Sequence, residues 1–138
     1  MNMNKPFILI FLILFGLGTS YFYISHMTQK IVVGGIYSVS NGENKDYGIV
    51  KVIAEDSIGV HVRSFSNKFS TRPKTINLSD LSLGKIGDKN PGIEHLPILK
   101  KVFQSWSPIF ITKEPVKEDE LVGYKEWLSA KGGYWGNE

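Results

Sequence analysis

The sequence predicts an α+β fold: a small bent antiparallel sheet or partial barrel followed by two helices and preceded by one hydrophobic helix. Short runs rich in Val, Ile and Tyr, separated by polar turns, fill residues 30–65. Within the domain, apolar residues at helical spacing come only after position 97. Strands gathered first and helices later are typical of an α+β domain.

Three strands are predicted in the first part of the domain, at residues 30–40, 47–54 and 58–65. Gly34 and Gly35 lie inside the first strand, where glycine typically marks a bulge or a bend. Asn41 and Gly42 open the next loop and form a strong turn dipeptide. Because short turns join these strands, we expect an antiparallel meander.

This first part resembles the start of SH3-like or Tudor-like barrels. A glycine-rich strand, a polar loop and two close strands follow one another in residues 33–65. The resemblance concerns architecture alone, so it implies a shape for the sheet and carries no function with it.

The middle of the domain, residues 66–97, is predicted to be irregular because proline and glycine interrupt it. Within it, residues 75–78 suggest a short strand and residues 79–81 a single helical turn. The first helix is predicted to begin near Pro97, with one apolar face made of Leu99, Val102, Phe103 and Trp106. Residues 109–112 are expected to form a final strand.

The second helix has the clearest signals in the sequence. Residues 118–120 are acidic and fill its first turn, where negative charge interacts favourably with the helix dipole. Its apolar stripe consists of Leu121, Tyr124 and Leu128. Gly132 and Gly133 are expected to end it in a left-handed conformation.

Residues 1–30 are predicted to be a membrane anchor or signal segment, and residues 31–138 a single mixed β/α domain. Residues 7–24 carry no charge and approach the length needed to cross a bilayer, which favours a single-pass anchor. Alternatively, small residues at Gly16 and Gly18 permit signal cleavage near Gly18. With a short head inside, the domain is expected to face the periplasm from the bacterial inner membrane.

Composition excludes several classes of function. Of the 16 Lys and Arg, only Lys5 and Lys30 lie in the first thirty residues, which leaves 14 against 13 Asp and Glu in a nearly neutral domain. Nucleic-acid binding needs a concentrated basic face, so we do not expect it. The chain has no Cys, which excludes disulfides, thiolate metal sites and Cys nucleophiles.

The most distinctive stretch is residues 60–73, which holds His61 and both arginines, Arg63 and Arg72. Strand alternation places His61 and Arg63 side by side, and Arg72 is able to return near them after a turn. Such a group suits an anion because Arg gives bidentate contacts. The simpler interpretation pairs each Arg with a nearby acid, either Glu55, Asp56 or Asp80.

His95 suggests acid–base chemistry with Glu94, or a metal site shared with His61. Neither spacing matches a known metal motif, so no metal and no cofactor are expected. We expect His95 to cap the helix near Pro97 or to bond to the central loop. At the C-terminus, Tyr134 and Trp135 either fold back onto the core or form exposed interface anchors.

The combination of G-x-YSV, KV-x-x-x-D, VHVR-x-x-SN-x-F-x-x-RP, HLP, F-x-x-W-x-P and E-L-x-GY-x-x-W resembles small bacterial envelope proteins of unassigned function. The segments that carry it are residues 35–39, 51–56, 60–73, 95–97, 103–108 and 120–127. The resemblance implies an envelope location and no catalytic residue.

The predicted function is a membrane-tethered, periplasm-facing module that binds a protein partner. It is either an immunity-type protein against an envelope-acting toxin or an accessory subunit of a membrane complex. The alternative is a small hydrolase or anion-binding enzyme built on His61, Arg63, Arg72 and His95. That alternative requires the four side chains to meet in one concave pocket.

Overall fold

The computed structural model describes residues 29–40, 42 and 45–136. The described part contains five strands, which are β1 Gly35–Ser40, β2 Tyr47–Glu55, β3 Gly59–Phe69, β4 Ile93–Leu99 and β5 Ile109–Lys113. Its two α-helices are α1 Lys100–Ser105 and α2 Val122–Ser129, and short 3-10 turns cover Leu78–Asp80 and Glu118–Leu121. The predicted hydrophobic helix at residues 7–24 lies outside the described residues. None of the described helices is long and apolar enough to cross a bilayer.

The five strands form one antiparallel sheet in the order β4-β3-β2-β1-β5. The first four strands are a meander, and β5 returns to pair with β1. The register shifts at several points, including those between Gly48 and Val50 and between Val62 and Ser64. Bulges of this kind bend strands. The predicted α+β class, with an antiparallel sheet and two helices, is therefore confirmed.

Residues 93–99 correct the sequence-based prediction. They form β4, whereas a loop and the start of a helix near Pro97 were expected. Pro97 lacks an N–H group and is tolerated because β4 lies at the edge of the sheet. As a result α1 begins at Lys100, and Ile98 and Leu99 are buried strand residues.

Two smaller predictions are also wrong. Residues 75–77 form no strand, because the Asn77 side chain instead accepts a hydrogen bond from the Ser79 N–H (3.3 Å) and caps the Leu78–Asp80 turn. At the end of α2, Lys131 adopts the left-handed conformation (φ 52°), and Gly132 and Gly133 do not.

One face of the sheet, here called the apolar face, carries the main core. The ring of Phe103 from α1 packs edge-to-face on Tyr37, with ring centroids 5.5 Å apart. The other core residues are Val39, Val50, Val52, Val60, Val62 and Ile98.

The opposite face, here called the polar face, is covered by the C-terminal segment, residues 114–135. Strand alternation places Lys51 between Val50 and Val52, so its side chain points away from the apolar core. Ser38, Lys51 and His61 are the buried polar or charged residues among those described. Contacts of Lys51 and His61 with the C-terminal segment place both beneath it. Ile36, which pairs with Lys51, and Ile49 are fully buried and by strand alternation lie on this face as well. The polar face therefore combines buried aliphatic side chains with paired polar groups.

Candidate functional site

Of the four residues predicted for the enzyme alternative, two meet on the polar face. His61 on β3 and His95 on β4 lie 2.9 Å apart between Nδ1 and Nε2. The planes of their rings are nearly parallel, with an interplanar angle of 6° and centroids 5.1 Å apart. The predicted role of His95 as a helix cap or loop contact is wrong, because residue 95 belongs to a strand that pairs with β3.

The hydrogen bonding continues from His61 to an exposed carboxylate. His61 Nε2 lies 3.0 Å from the Tyr134 hydroxyl, and that hydroxyl donates to Asp56 Oδ2. The other carboxylate oxygen, Oδ1, accepts the backbone N–H groups of Ile58 (2.8 Å) and Gly59 (2.9 Å). We call the side chains of His95, His61, Tyr134 and Asp56 the histidine chain.

The protonation states of Tyr134 and His61 determine which group donates in each hydrogen bond of the histidine chain. Burial and the bond to Asp56 raise the pKa of Tyr134, so its hydroxyl stays protonated and donates to the carboxylate. The hydroxyl oxygen then accepts from His61 Nε2–H. Burial lowers the pKa of His61 to about 4, so the ring is neutral and its Nδ1 accepts a hydrogen bond from His95 Nε2–H.

Aromatic residues of the C-terminal segment enclose His61. The rings of Tyr124 and Trp127 on α2 pack edge-to-face against the His61 ring, with centroid distances of 4.6 and 4.5 Å. A Cβ atom at Gly123 would lie 2.6 Å from His95 Cβ, so glycine is required for α2 to lie this close to β4. The histidine chain thus runs from the buried His61 to the exposed Asp56, and its hydrogen bonds hold the C-terminal segment on the sheet.

Arg72 is held apart from the histidines. Its Nη1 donates to the Ser107 carbonyl (2.9 Å) and to the Ser38 carbonyl (3.2 Å), and the guanidinium lies 4.6 Å above the Tyr47 ring. The predicted return of Arg72 toward His61 is therefore wrong. The reason is that β3 continues to Phe69, beyond its predicted end at residue 65, and carries the chain to the other end of the sheet.

The predicted ion pairs of the arginines are not found among the described residues. Glu55 pairs instead with Lys100 (2.8 Å), and Asp56 belongs to the histidine chain. Arg63 lies opposite Lys51 on β2 and makes no hydrogen bond with any described residue. The four predicted side chains therefore do not form one pocket.

The two aromatic residues of the C-terminal tail have different environments. Tyr134 folds inward and joins the histidine chain. Trp135 pairs through its backbone with the edge of β4, where its N–H donates to Pro97 (2.9 Å) and its carbonyl accepts from Leu99 (3.1 Å). Its side chain remains 69% exposed. Tyr134 therefore folds back onto the sheet, while the role of Trp135 as an exposed interface anchor stays a prediction.

A buried lysine is the feature that the sequence analysis missed. Lys51 Nζ donates to Glu120 (2.7 Å), Glu114 (3.0 Å) and the Pro115 carbonyl (3.1 Å), and its side chain is fully buried. The hydrogen bond from Lys51 lowers the pKa of Glu114. In the sequence, Lys51 is the single charged residue among the apolar residues 49–53, and this pattern indicates a buried, paired lysine.

No group of three or more His, Asp or Glu side chains in the described part is arranged to hold a metal ion. Comparison with protein-family models, with curated proteins and with solved structures returned no match.

Proposed function

We propose that this chain is a membrane-tethered, periplasm-facing protein-binding module that uses Trp135 as its anchor residue. The single observation that carries the proposal is an exposed tryptophan on a backbone fixed from several sides. Tryptophan is enriched among residues that dominate binding energy, and ordering a residue before binding reduces the entropy lost on association.

Three contacts fix the backbone around Trp135. Its own N–H and carbonyl pair with β4, the preceding Tyr134 is held by His61 and Asp56, and the Gly133 carbonyl accepts from Trp127 Nε1 (2.9 Å). The histidine chain thus has a function in this proposal: it presents the indole of Trp135 in one position.

The finer fold proposed is an SH3-like partial barrel. A four-strand meander whose fifth strand returns to the first, bent by bulges, supports it. Residues 7–24 supply the proposed tether in the bacterial inner membrane, with export after cleavage near Gly18 as the alternative.

An immunity-type protein that binds an envelope-acting toxin is the most concrete form of this function, and an accessory subunit of a membrane complex is the other. The small hydrolase or anion-binding enzyme has less support, because Arg72 is held apart from the bonded pair of His61 and His95, and Arg63 makes no hydrogen bond with any described residue.

Site-specific photocrosslinking tests the proposal. A photoreactive phenylalanine replaces Trp135 in the full-length chain, and a matched variant carries it at Ile86, which is fully exposed in a distant loop. In membranes of the native host we expect a covalent adduct of one defined mass from position 135 and none from position 86.

Added wild-type protein should prevent this adduct, and added Trp135→Ala protein should not. Equal adducts from both positions, or none from a folded variant at position 135, would show that Trp135 is not a binding anchor.

A further inference from the structure

A cavity of about 610 Å³ opens at one end of the apolar face, far along the sheet from the histidine chain. Its floor is made of the core residues Val39 and Val50, and the turn after α1 contributes Trp106 to its wall. The volume lies within the range of about 300–1,000 Å³ that is typical of small-molecule sites. The proposed anchor Trp135 does not line it.

Hydroxyl groups surround this apolar floor. The side chains of Ser40, Ser64 and Ser107 line the cavity and form no hydrogen bond with any described residue. By contrast, the hydroxyl of Ser105, also in the lining, donates to the Val102 carbonyl (2.7 Å). Ser40 and Ser64 are half-buried and Ser107 is exposed, so their hydroxyls are accessible to a ligand that enters the cavity.

The cavity has a positive side chain and no acidic one in its described lining. Lys68 reaches it over Gly48, where an added Cβ would lie 3.4 Å from the lysine Nζ. The absence of a side chain at Gly48 leaves this space open. Arg72 adds positive charge beside the rim through its 2.9 Å bond to the Ser107 carbonyl.

The backbone of Ser107 ends α1. Its φ angle of 50° is the left-handed conformation that commonly follows the last residue of a helix, and its N–H donates to the Gln104 carbonyl (3.0 Å). This turn fixes the position of Ser107 at the edge of the cavity.

We propose that the cavity binds a phosphomonoester whose organic group is aromatic or aliphatic. The phosphate meets the Lys68 ammonium and the serine hydroxyls, and the apolar group rests on Val39, Val50 and Trp106. Phosphate is favoured over carboxylate because its three terminal oxygens match several separate donors, and lysine binds phosphate as a point charge.

Two sources supply this chemistry, a soluble phosphomonoester and the headgroup of phosphatidic acid. The chain enters the domain beside α1, where the Gln29 carbonyl accepts from Gln104 Nε2 (3.2 Å), next to the cavity-lining Ser105. The proposal does not depend on the proposed tether or on Trp135.

Fluorine NMR of the full-length chain in a neutral sugar detergent tests it. With 5-fluorotryptophan at its three tryptophans, the chain gives one reporter in the cavity wall, Trp106, and two controls outside it, Trp127 and Trp135. On addition of phenyl phosphate we expect a saturable shift of the Trp106 signal alone, with a Kd of about 1 mM or tighter.

Lys68→Gln should weaken this binding about tenfold, the effect of losing one charge-assisted hydrogen bond. Lys89→Gln, which removes an exposed lysine elsewhere, should leave it unchanged. Trp127 and Trp135 signals at the same chemical shifts as in the wild-type protein verify that each variant is folded.

No saturable shift, equal affinity in Lys68→Gln, or equal affinity for benzyl alcohol in place of phenyl phosphate would each overturn the proposal. Competition by micelles containing phosphatidic acid, and not by those containing phosphatidylcholine, identifies the lipid as a source. A soluble ligand is identified when phenyl phosphate binds and neither lipid competes.

Discussion

Both faces of the sheet contain buried aliphatic side chains, and they differ because one of them also contains buried polar groups. The apolar face is filled by aliphatic and aromatic side chains that need no specific partner. On the polar face, Lys51 and His61 are buried together with Ser38, and every such group is paired. Among the described residues no buried side-chain polar atom lacks a hydrogen bond.

This difference indicates a division of roles. Burial of apolar surface is not directional and tolerates many arrangements, whereas paired polar groups fit only one. The apolar face accounts for the compactness of the domain. The polar face fixes the position of the C-terminal segment, and hence of Trp135.

The polar face itself has a charged half and a neutral half. Lys51 is paired with two carboxylates, and the histidine chain carries its only charge at the exposed Asp56. The Lys51 cluster and the histidine chain should therefore respond differently to mutation and to pH.

The largest effect is expected for Lys51→Met. This change leaves Glu114 and Glu120 beside an apolar side chain without their buried partner, and should reduce the free energy of unfolding by about 3–5 kcal/mol. Urea denaturation measures it. Lys100→Met is the matched control, since it removes a partly exposed ion pair with Glu55 and should cost at most about 1 kcal/mol. Similar losses in both variants would mean that the Lys51 cluster does not hold the segment.

The next effect is a loss of stability on mild acidification. The folded pKa of His61 is about 4, below the ordinary value of 6.5, so the unfolded chain binds more protons between these values. Stability is therefore complete above about pH 6.5 and falls by up to about 3 kcal/mol as the pH approaches 4. Denaturation curves at a series of pH values measure this slope.

His61→Gln should reduce the slope between pH 6.5 and 4, whatever its stability at neutral pH. The remaining slope comes from His95, because burial lowers its pKa as well. The charged half acts in a lower window, because the pKa of Glu114 is lowered from 4.5 and its contribution is lost only as the pH falls below that value. An unchanged slope in His61→Gln would exclude His61 as its source.

A smaller effect is expected for Tyr134→Phe. It removes the hydroxyl that accepts from His61 and donates to Asp56, and should cost about 1–3 kcal/mol. Tyr124→Phe is the matched control, because its ring packs on His61 while its hydroxyl bonds no described residue, and it should change stability by less than about 0.5 kcal/mol. Equal effects would indicate that ring packing alone matters.

The smallest effect is expected for Trp135→Ala. Because the indole is 69% exposed, its loss should change the free energy of unfolding by less than about 1 kcal/mol while abolishing the adduct with the partner. Thermal or urea denaturation gives the first value and the competition experiment the second. A large loss of stability would assign the indole a structural role instead.

Local patterns were sufficient to predict much of the fold. Alternation in residues 47–54 and 58–65 gave β2 and most of β3, and the acidic turn before α2 gave the last helix. β4 was missed because Pro97 and the apolar spacing after it are equally typical of a helix start. Only pairing with β3, a long-range contact, determines which structure forms.

The site was harder to predict for the same reason. His61 and His95 lie 34 positions apart in the chain, and Tyr134 lies 73 positions from His61. Their contacts depend on strand order and on how the C-terminal segment folds back, neither of which leaves a local pattern. The inward turn of Tyr134 and the exposure of Trp135 depend on the same long-range pairing.

The most direct test of this account is hydrogen exchange at the Trp135 amide in the full-length protein, which donates to the Pro97 carbonyl. If the histidine chain fixes the tail, Tyr134→Phe should accelerate exchange at this amide about tenfold to a hundredfold, while amides of β2 keep their relative protection. An unchanged exchange rate at Trp135 in a folded Tyr134→Phe protein would contradict the claim that the polar face holds Trp135 in place.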